Sequence, residues 1–150
     1  MAVQRERPYS RFNFLVTLGD SDSGSVQAGF SEVTGLDIDV QPIEYRAGNF
    51  PTNRPIKLPG LSKVGNVTLR RGVIGVLDLS DWLKQAGEGD QTVYRNVVIE
   101  LLAEDRQTVA LSWRLRNAWP IRYDGPDLSA ATNDIAIEEL VLSCESIDVV

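Results

Sequence analysis

The sequence predicts a mainly β domain: a small antiparallel β-barrel or sandwich with one flanking α-helix. Three observations predict it. Apolar and polar residues alternate with period two in seven or eight separate stretches. Clusters rich in Gly, Pro, Asp and Ser divide those stretches. Only residues 76–86 repeat their apolar side chains at spacings of three and four. With 150 residues the chain suits one domain, 9–150, whose core buries about 68–70% of the unfolded surface.

Residues 1–8 carry three charges and a proline and read as a flexible N-terminal arm. Residues 11–18 alternate Phe12, Phe14, Val16 and Leu18 against a set that is polar except for Leu15, the pattern of a half-buried strand. The run GDSDSGS at 19–25 has no apolar side chain and reads as a loop. A strand over 26–33 stops at Thr34-Gly35. Leu36, Ile38 and Val40 then alternate with Asp37, Asp39 and Gln41. Beyond Pro42 the apolar parity changes to Ile43 and Tyr45, which predicts a bulge near Gln41-Pro42. Proline in a strand also points to a sheet edge.

Residues 46–63, RAGNFPTNRPIKLPGLSK, contain three prolines and two glycines, so neither helix nor strand is expected. Phe50, Ile56, Leu58 and Leu61 make the stretch too apolar for a solvated linker. Long irregular loops in compact domains are functional or disordered. A proline-stiffened apolar loop suits docking on a partner; the competing reading is an arm folded over its own core.

Residues 64–71 form the next strand. In the helix over 76–86, Val76, Leu79, Leu83 and Ala86 make the apolar stripe, Trp82 adjoins it, and Gly87 is the expected stop. Residues 93–104 read as a strongly apolar strand and 104–107 as a turn. Residues 108–116 return with Val109, Leu111, Trp113 and Leu115 inward, completing a hairpin. Residues 117–124 continue through Trp119-Pro120, Gly125-Pro126-Asp127 turns, and 128–132 suit one helical turn. The last strand, 134–147, changes parity from Ile135 and Ile137 to Leu140, Leu142 and Cys144, which predicts a second bulge at Glu138-Glu139.

Composition excludes several kinds of chemistry. There is no histidine, hence no imidazole triad and no His-ligated metal. The one cysteine, Cys144, excludes an intrachain disulfide and fits a reducing compartment. The opening MAVQRERPYSRF lacks the apolar core of a secretory leader, and no apolar run approaches the roughly 20 residues of a membrane helix. A net charge of −6 argues against a general nucleic-acid binder.

The remaining candidates are thin. Asp20 and Asp22 sit at i, i+2 as calcium ligands do, but without the rest of an EF-hand they read as a solvated turn. The pairs Asp37/Asp39 and Glu138/Glu139 could serve acid–base catalysis, against the reading of a wet strand face. Arg70, Arg71, Arg114, Arg116 and Arg122, with Trp113 and Trp119, could form a nucleic-acid platform. The competing reading pairs those arginines with acids and buries Trp113. Trp119 and Tyr123 could stack on a sugar in a carbohydrate-binding module. No catalytic residue, metal or cofactor is assigned.

The run EYRAGNFPTNRPIKLPGLSKVGNVTLRRGV (44–73) resembles the tail-tube proteins of contractile phage tails and related injection machines. The carrying motifs are Glu-Tyr-Arg-x-Gly at 44–48, Lys-Leu-Pro-Gly-Leu at 57–61 and Gly-Asn-Val-Thr-Leu-Arg-Arg-Gly at 65–72. GFSEVTGL (29–36), Leu79-x-x-Trp82 and RNAWPIRYDGPDLSAATNDIAIEEL (116–140) extend the likeness to about residues 9–147. Length and the lack of insertions look most like the inner tube of extracellular contractile injection systems. The tail tube of a DNA-conducting phage stands close behind, and the type VI secretion tube is more distant.

The resemblance implies a barrel that assembles through its sheets into a homohexameric ring. Rings stack into a hollow tube, and a contractile sheath drives it through a target membrane to deliver protein effector cargo. The implied partners are further copies of the chain, the sheath, baseplate and tube-capping proteins, and the cargo, with no specific nucleic-acid binding and no cofactor. Such a protein is made and assembled in the bacterial cytoplasm and acts in a released extracellular particle. The loop 46–63 is then expected to reach a neighbouring subunit or ring. Tyr45, Arg46, Asn49, Phe50, Arg54, Lys57, Leu58, Leu61 and Lys63 become interface candidates, and Asp37, Asp39 and Glu138 lumen or ring-face candidates. A hexameric ring would carry about −36 charges to distribute over its surfaces.

Overall fold

The structure, a computed structural model, describes residues 5–21, 24–75 and 77–150. Its elements run β1 (Phe14–Ser21), β2 (Gly24–Ala28), β3 (Glu32–Thr34), β4 (Ile38–Tyr45), β5 (Ile56–Val64), β6 (Val67–Gly72), α1 (Asp78–Gly87), β7 (Arg95–Leu102), β8 (Val109–Asp124), β9 (Ile137–Ser143) and β10 (Ser146–Val149). All pairings are antiparallel. Eight strands form one sheet, in the order β2-β1-β7-β8-β9-β6-β3 with β10 added on β8, and β4 with β5 forms a separate hairpin.

The long strand β8 makes one sheet into two packed halves. Its first part pairs with β7, Leu115 opposite Val97, and its last part with β9, Tyr123 opposite Leu140. Between them Asn117 takes a left-handed φ of 51°, a conformation that asparagine tolerates better than most residues. Its side-chain amide donates to Glu145 at 2.8 Å, which holds the bend against the β9–β10 turn. Val16 and Leu18 of β1, Val97 and Ile99 of β7, and Leu115 thus face Val67 and Leu69 of β6 and Leu140 and Leu142 of β9 across one core. The helix adds Leu79 and Trp82, and the Trp82 indole N–H donates to the Val93 carbonyl at 2.8 Å. Asp78 and Asp81 in the first turn complement the helix dipole.

Several sequence expectations change here. The loop expected over 19–25 is shortened, because β1 runs on to Ser21 and β2 starts at Gly24. The strand expected over 26–33 is split between β2 and β3. The helix includes Gly87, the residue expected to stop it; Glu88 is the C-cap, and Gly89 takes the left-handed conformation at φ 76°. Residues 128–132 form no helical turn. The final strand divides into β9 and β10.

Two further changes are instructive. The stretch 46–63 is not irregular throughout: residues 56–63 belong to β5, and only 46–55 lie between strands. Pro59 pairs opposite Pro42, so two residues without an N–H face each other in a ribbon whose edges are free. The bulge expected near Gln41-Pro42 is present. Its extra residue lies in β5, since Val40 pairs with Ser62 but Pro42 with Pro59. Gly60 is required there, because a Cβ would sit 2.4 Å from the Gln41 carbonyl oxygen.

The second expected bulge does not exist. β9 pairs with β6 without a shift, Glu138 opposite Arg71 and Leu140 opposite Leu69. Glu138 keeps the inward parity of Leu140 and Leu142, so the apparent change of parity is an ionisable residue occupying a core position.

Candidate assembly surface

The hairpin β4–β5 leaves the core through a narrow neck. Gly35 has φ 87°, and a Cβ on it would lie 2.1 Å from the Asn66 carbonyl oxygen. The Gly65 N–H donates to the Asp37 carbonyl at 3.0 Å, while Leu36 and Val64 still pack against the core. Past this neck every residue of β4 is exposed.

Its side chains are sorted by position along the ribbon. The register puts Tyr45, Ile43, Ile56 and Leu58 on one face of the distal half, with Glu44, Lys57, Pro42 and Pro59 on the other. Below the bulge the apolar residues change face: Ile38 and Val40 lie with Val64, and Asp39 faces Lys63 on the opposite side. At the tip, Phe50 meets Tyr45 edge-on with ring centroids 6.2 Å apart. The Phe50 N–H donates to the Ala47 carbonyl at 3.1 Å, and the Arg46 guanidinium donates to the Thr52 carbonyl at 3.2 Å, closing the loop on itself. A lone two-stranded ribbon is marginal in water, and an exposed apolar one adheres to other chains.

The structure therefore gathers Tyr45, Arg46, Asn49, Phe50, Arg54, Lys57, Leu58, Leu61 and Lys63 on one projecting hairpin and its loop. All are exposed except Phe50, which is half-buried, and Leu61 reaches 80% exposure. Asp37 and Asp39 lie exposed at its base. Glu138 does not belong with them. It is 4% exposed inside the subunit, so no lumen or ring face can be lined by it.

Glu138 belongs instead to a polar cluster that sequence reasoning missed. Arg71, 3% exposed, donates from Nε to Glu138 at 2.5 Å and from Nη2 to Asp78 at 2.5 Å. The Tyr123 hydroxyl donates to the second Glu138 oxygen at 2.6 Å, and that bond raises the pKa of the phenol. The guanidinium also stands 5.7 Å from the centre of the Phe30 ring. The cluster ties β6, β8, β9 and the start of α1 together. The signal lay in the strand parity: Arg71 follows Val67 and Leu69, and Glu138 precedes Leu140 and Leu142.

The other candidates dissolve. Arg70 pairs with Glu32 and Glu139, Arg71 with Glu138 and Asp78, Arg116 with Asp148, and Arg122 with Asp124, so four of the five arginines of the basic stripe meet acids within the chain. Trp113 packs against the core, as does Tyr123, whose hydroxyl is already engaged. Tyr123 is therefore not free to stack on a sugar beside Trp119, which stays exposed. Asp22 lies outside the described residues, and with it the calcium reading. Among the described residues no group of three or more acidic or thiol side chains is placed to hold a metal ion.

At the β7–β8 turn, Arg5 donates two hydrogen bonds to Glu104, at 2.7 and 2.8 Å, and holds its carboxyl at a pKa of about 2. The Thr108 hydroxyl and the Thr108 and Gln107 N–H groups do the same for Asp105, also to about 2. Both values lie below the ordinary carboxylate value. The stabilisation is thus complete above about pH 4 and is lost as the pH falls towards 2. Amide hydrogen exchange at Gln107 and Thr108 is expected to lose protection, relative to the core strands, between about pH 5 and about pH 2.5. Unchanged relative protection would refute this role for the two carboxylates.

The sequence profile of the T4-like virus tail tube protein gp19 matches residues 10–148, and the chain belongs to that family. No curated protein is significantly similar in sequence. Among solved structures, a chain of the sheath–tube complex of the extracellular contractile injection system PVC, in its extended state, is 32% identical. That alignment covers 96% of this chain and 92% of the other, with a TM-score of 0.83. A chain of the anti-feeding prophage cap is 30% identical over 99% and 95%, with a TM-score of 0.84. Hcp1 of Flavobacterium johnsoniae shares the fold alone, at 12% identity over 92% and 94% and a TM-score of 0.54.

Proposed function

We propose that this chain is the inner-tube subunit of an extracellular contractile injection system. Homohexameric rings stack into a rigid hollow tube, and contraction of a surrounding sheath drives the tube through a target membrane to deliver protein effectors. The observation that carries the reading is the β4–β5 hairpin, an ordered apolar arm left uncovered by its own subunit, in a chain whose near full-length relatives come from a sheath–tube complex and a tube cap. Its partners are further copies of itself, the sheath, the baseplate and the tube-terminating cap. Assembly takes place in the bacterial cytoplasm and action in a released particle.

The role is structural. A tube wall must be rigid, and β-sheets with free edges at β2 and β3 can be extended by neighbouring copies. This reading assigns the exposed Asp37 and Asp39 to the lumen or ring face, where acidic groups let an effector slide without adhering.

Negative-stain electron microscopy of the purified chain, with its mass measured in solution, tests this. Sixfold rings or stacked hollow tubes are expected. A monomer that persists at high concentration, and also on co-expression with sheath and baseplate proteins, would overturn the reading.

A further inference from the structure

The hairpin has a chemical complement at the far end of the same subunit. The hairpin joins β6 at its Val67 end through Gly65-Asn66. Residues 73–75 leave from the Gly72 end, and Leu77 precedes α1. Residues 125–136 lie at that end too, because β8 finishes there with Asp124 opposite Glu139 and β9 begins there with Ile137 opposite Gly72. The Val73 N–H donates to the Ala136 carbonyl at 3.0 Å and joins the two loops. Val73, Ile74, Leu77, Leu128 and Ile135 are all exposed on them, Leu128 at 85%.

Charge distinguishes the two ends. Residues 46–63 contain four basic side chains and no acidic one, whereas 124–139 contain five acidic side chains and no basic one. Of the acids, Glu138, Glu139 and Asp124 are engaged by Arg71, Arg70 and Arg122. Asp127 and Asp134 are exposed and form no ion pair among the described residues. The same holds for Arg54 and Lys57 on the hairpin.

We propose that the distal hairpin of one copy docks on the end of a second copy formed by residues 73–75 and 125–136. Ile43, Ile56 and Leu58 cover Ile74, Leu128 and Ile135, and Arg54 in the tip loop meets Asp127 and Asp134. This deepens the tube reading and rests on it, by naming the surface that receives the arm. Donor and receptor sit at opposite ends of β6, so the contact is heterologous. Such a contact can repeat from one copy to the next along a stack. The rival receptor is the groove lined by Phe12, Phe14, Val33, Leu36 and Trp113. It is bordered by Arg11 and Glu32, one charge of each sign, and lacks the acidic complement.

The test uses the full chain carrying Cys144→Ser, co-expressed with sheath and baseplate proteins and treated with a short bismaleimide. Leu58→Cys with Ile135→Cys is expected to give a ladder of covalent oligomers, and Leu58→Cys with Phe12→Cys none. A ladder only from the second pair, or from neither pair although tubes are seen, would overturn the proposal and leave the tube reading intact. A Cys144→Ser parent that forms neither rings nor tubes would overturn both. Independently, Asp127→Lys with Asp134→Lys is expected to abolish stacking, and Arg54→Asp in the same chain to restore part of it. Stacking at the parental yield in the acid-reversed variant would overturn the proposal.

Discussion

Leu58→Asp is expected to leave the subunit folded and to stop tube growth. The side chain is half exposed on the hairpin's distal apolar face and contributes nothing to the core. Its replacement should therefore change subunit stability by no more than about 0.5 kcal/mol. Once the face is covered by a neighbouring copy, the new carboxylate is desolvated without a partner, at about 2 kcal/mol or more per contact. At tenfold per 1.4 kcal/mol, the concentration needed for growth rises by about 30-fold or more, and the same contact recurs at every subunit. Phe50→Asp should act the same way, with an added loss of loop order because its ring packs on Tyr45. Circular dichroism and solution mass check the subunit, and micrographs check the tubes. Normal tubes from both variants would show that the hairpin is not a docking element.

The second large effect is expected inside the subunit. Glu138→Leu removes a carboxylate that accepts from both Arg71 and Tyr123, leaving a guanidinium 3% exposed with part of its charge unmatched. Breaking a buried pair from one side costs about 3–5 kcal/mol. For a domain of this size that lowers the melting temperature by roughly 6–20 °C. Arg71→Met combined with Glu138→Leu should recover most of the loss, because the desolvation of both charges disappears with them. Asp78, the third member, is partly exposed and can be solvated when Arg71 is gone. Calorimetry of the two single variants and the double variant measures the coupling. Additive losses would show that the pair is not a unit.

The two buried charges also explain how the sequence was misread. Periodicity arguments sort positions by the polarity of their residues, so a glutamate in a core position registers as a change of face. Only the partner strand reveals that Arg71 stands opposite, and that contact joins residues 67 apart in the chain. The prolines of 46–63 misled for a related reason. Proline opposes strand structure where a ladder needs its N–H, and nothing local showed that Pro59 would face Pro42 on a ribbon with free edges. Gly60 looked like another breaker, yet it is the residue that lets the bulge close.

The amino-acid sequence by itself determined the β class, the single helix, the hairpin of β7 and β8, and the family, because these rest on local periodicity and on ordered motifs. It also identified the hairpin residues as a group, since apolar side chains among prolines and glycines are legible without a fold. Tertiary structure alone decided which of them are uncovered, that Glu138 is sealed inside the subunit, and that the basic arm and the acidic loops lie at opposite ends of β6. Those are facts of pairing and solvent access. They depend on which distant strands meet, and no local pattern encodes that.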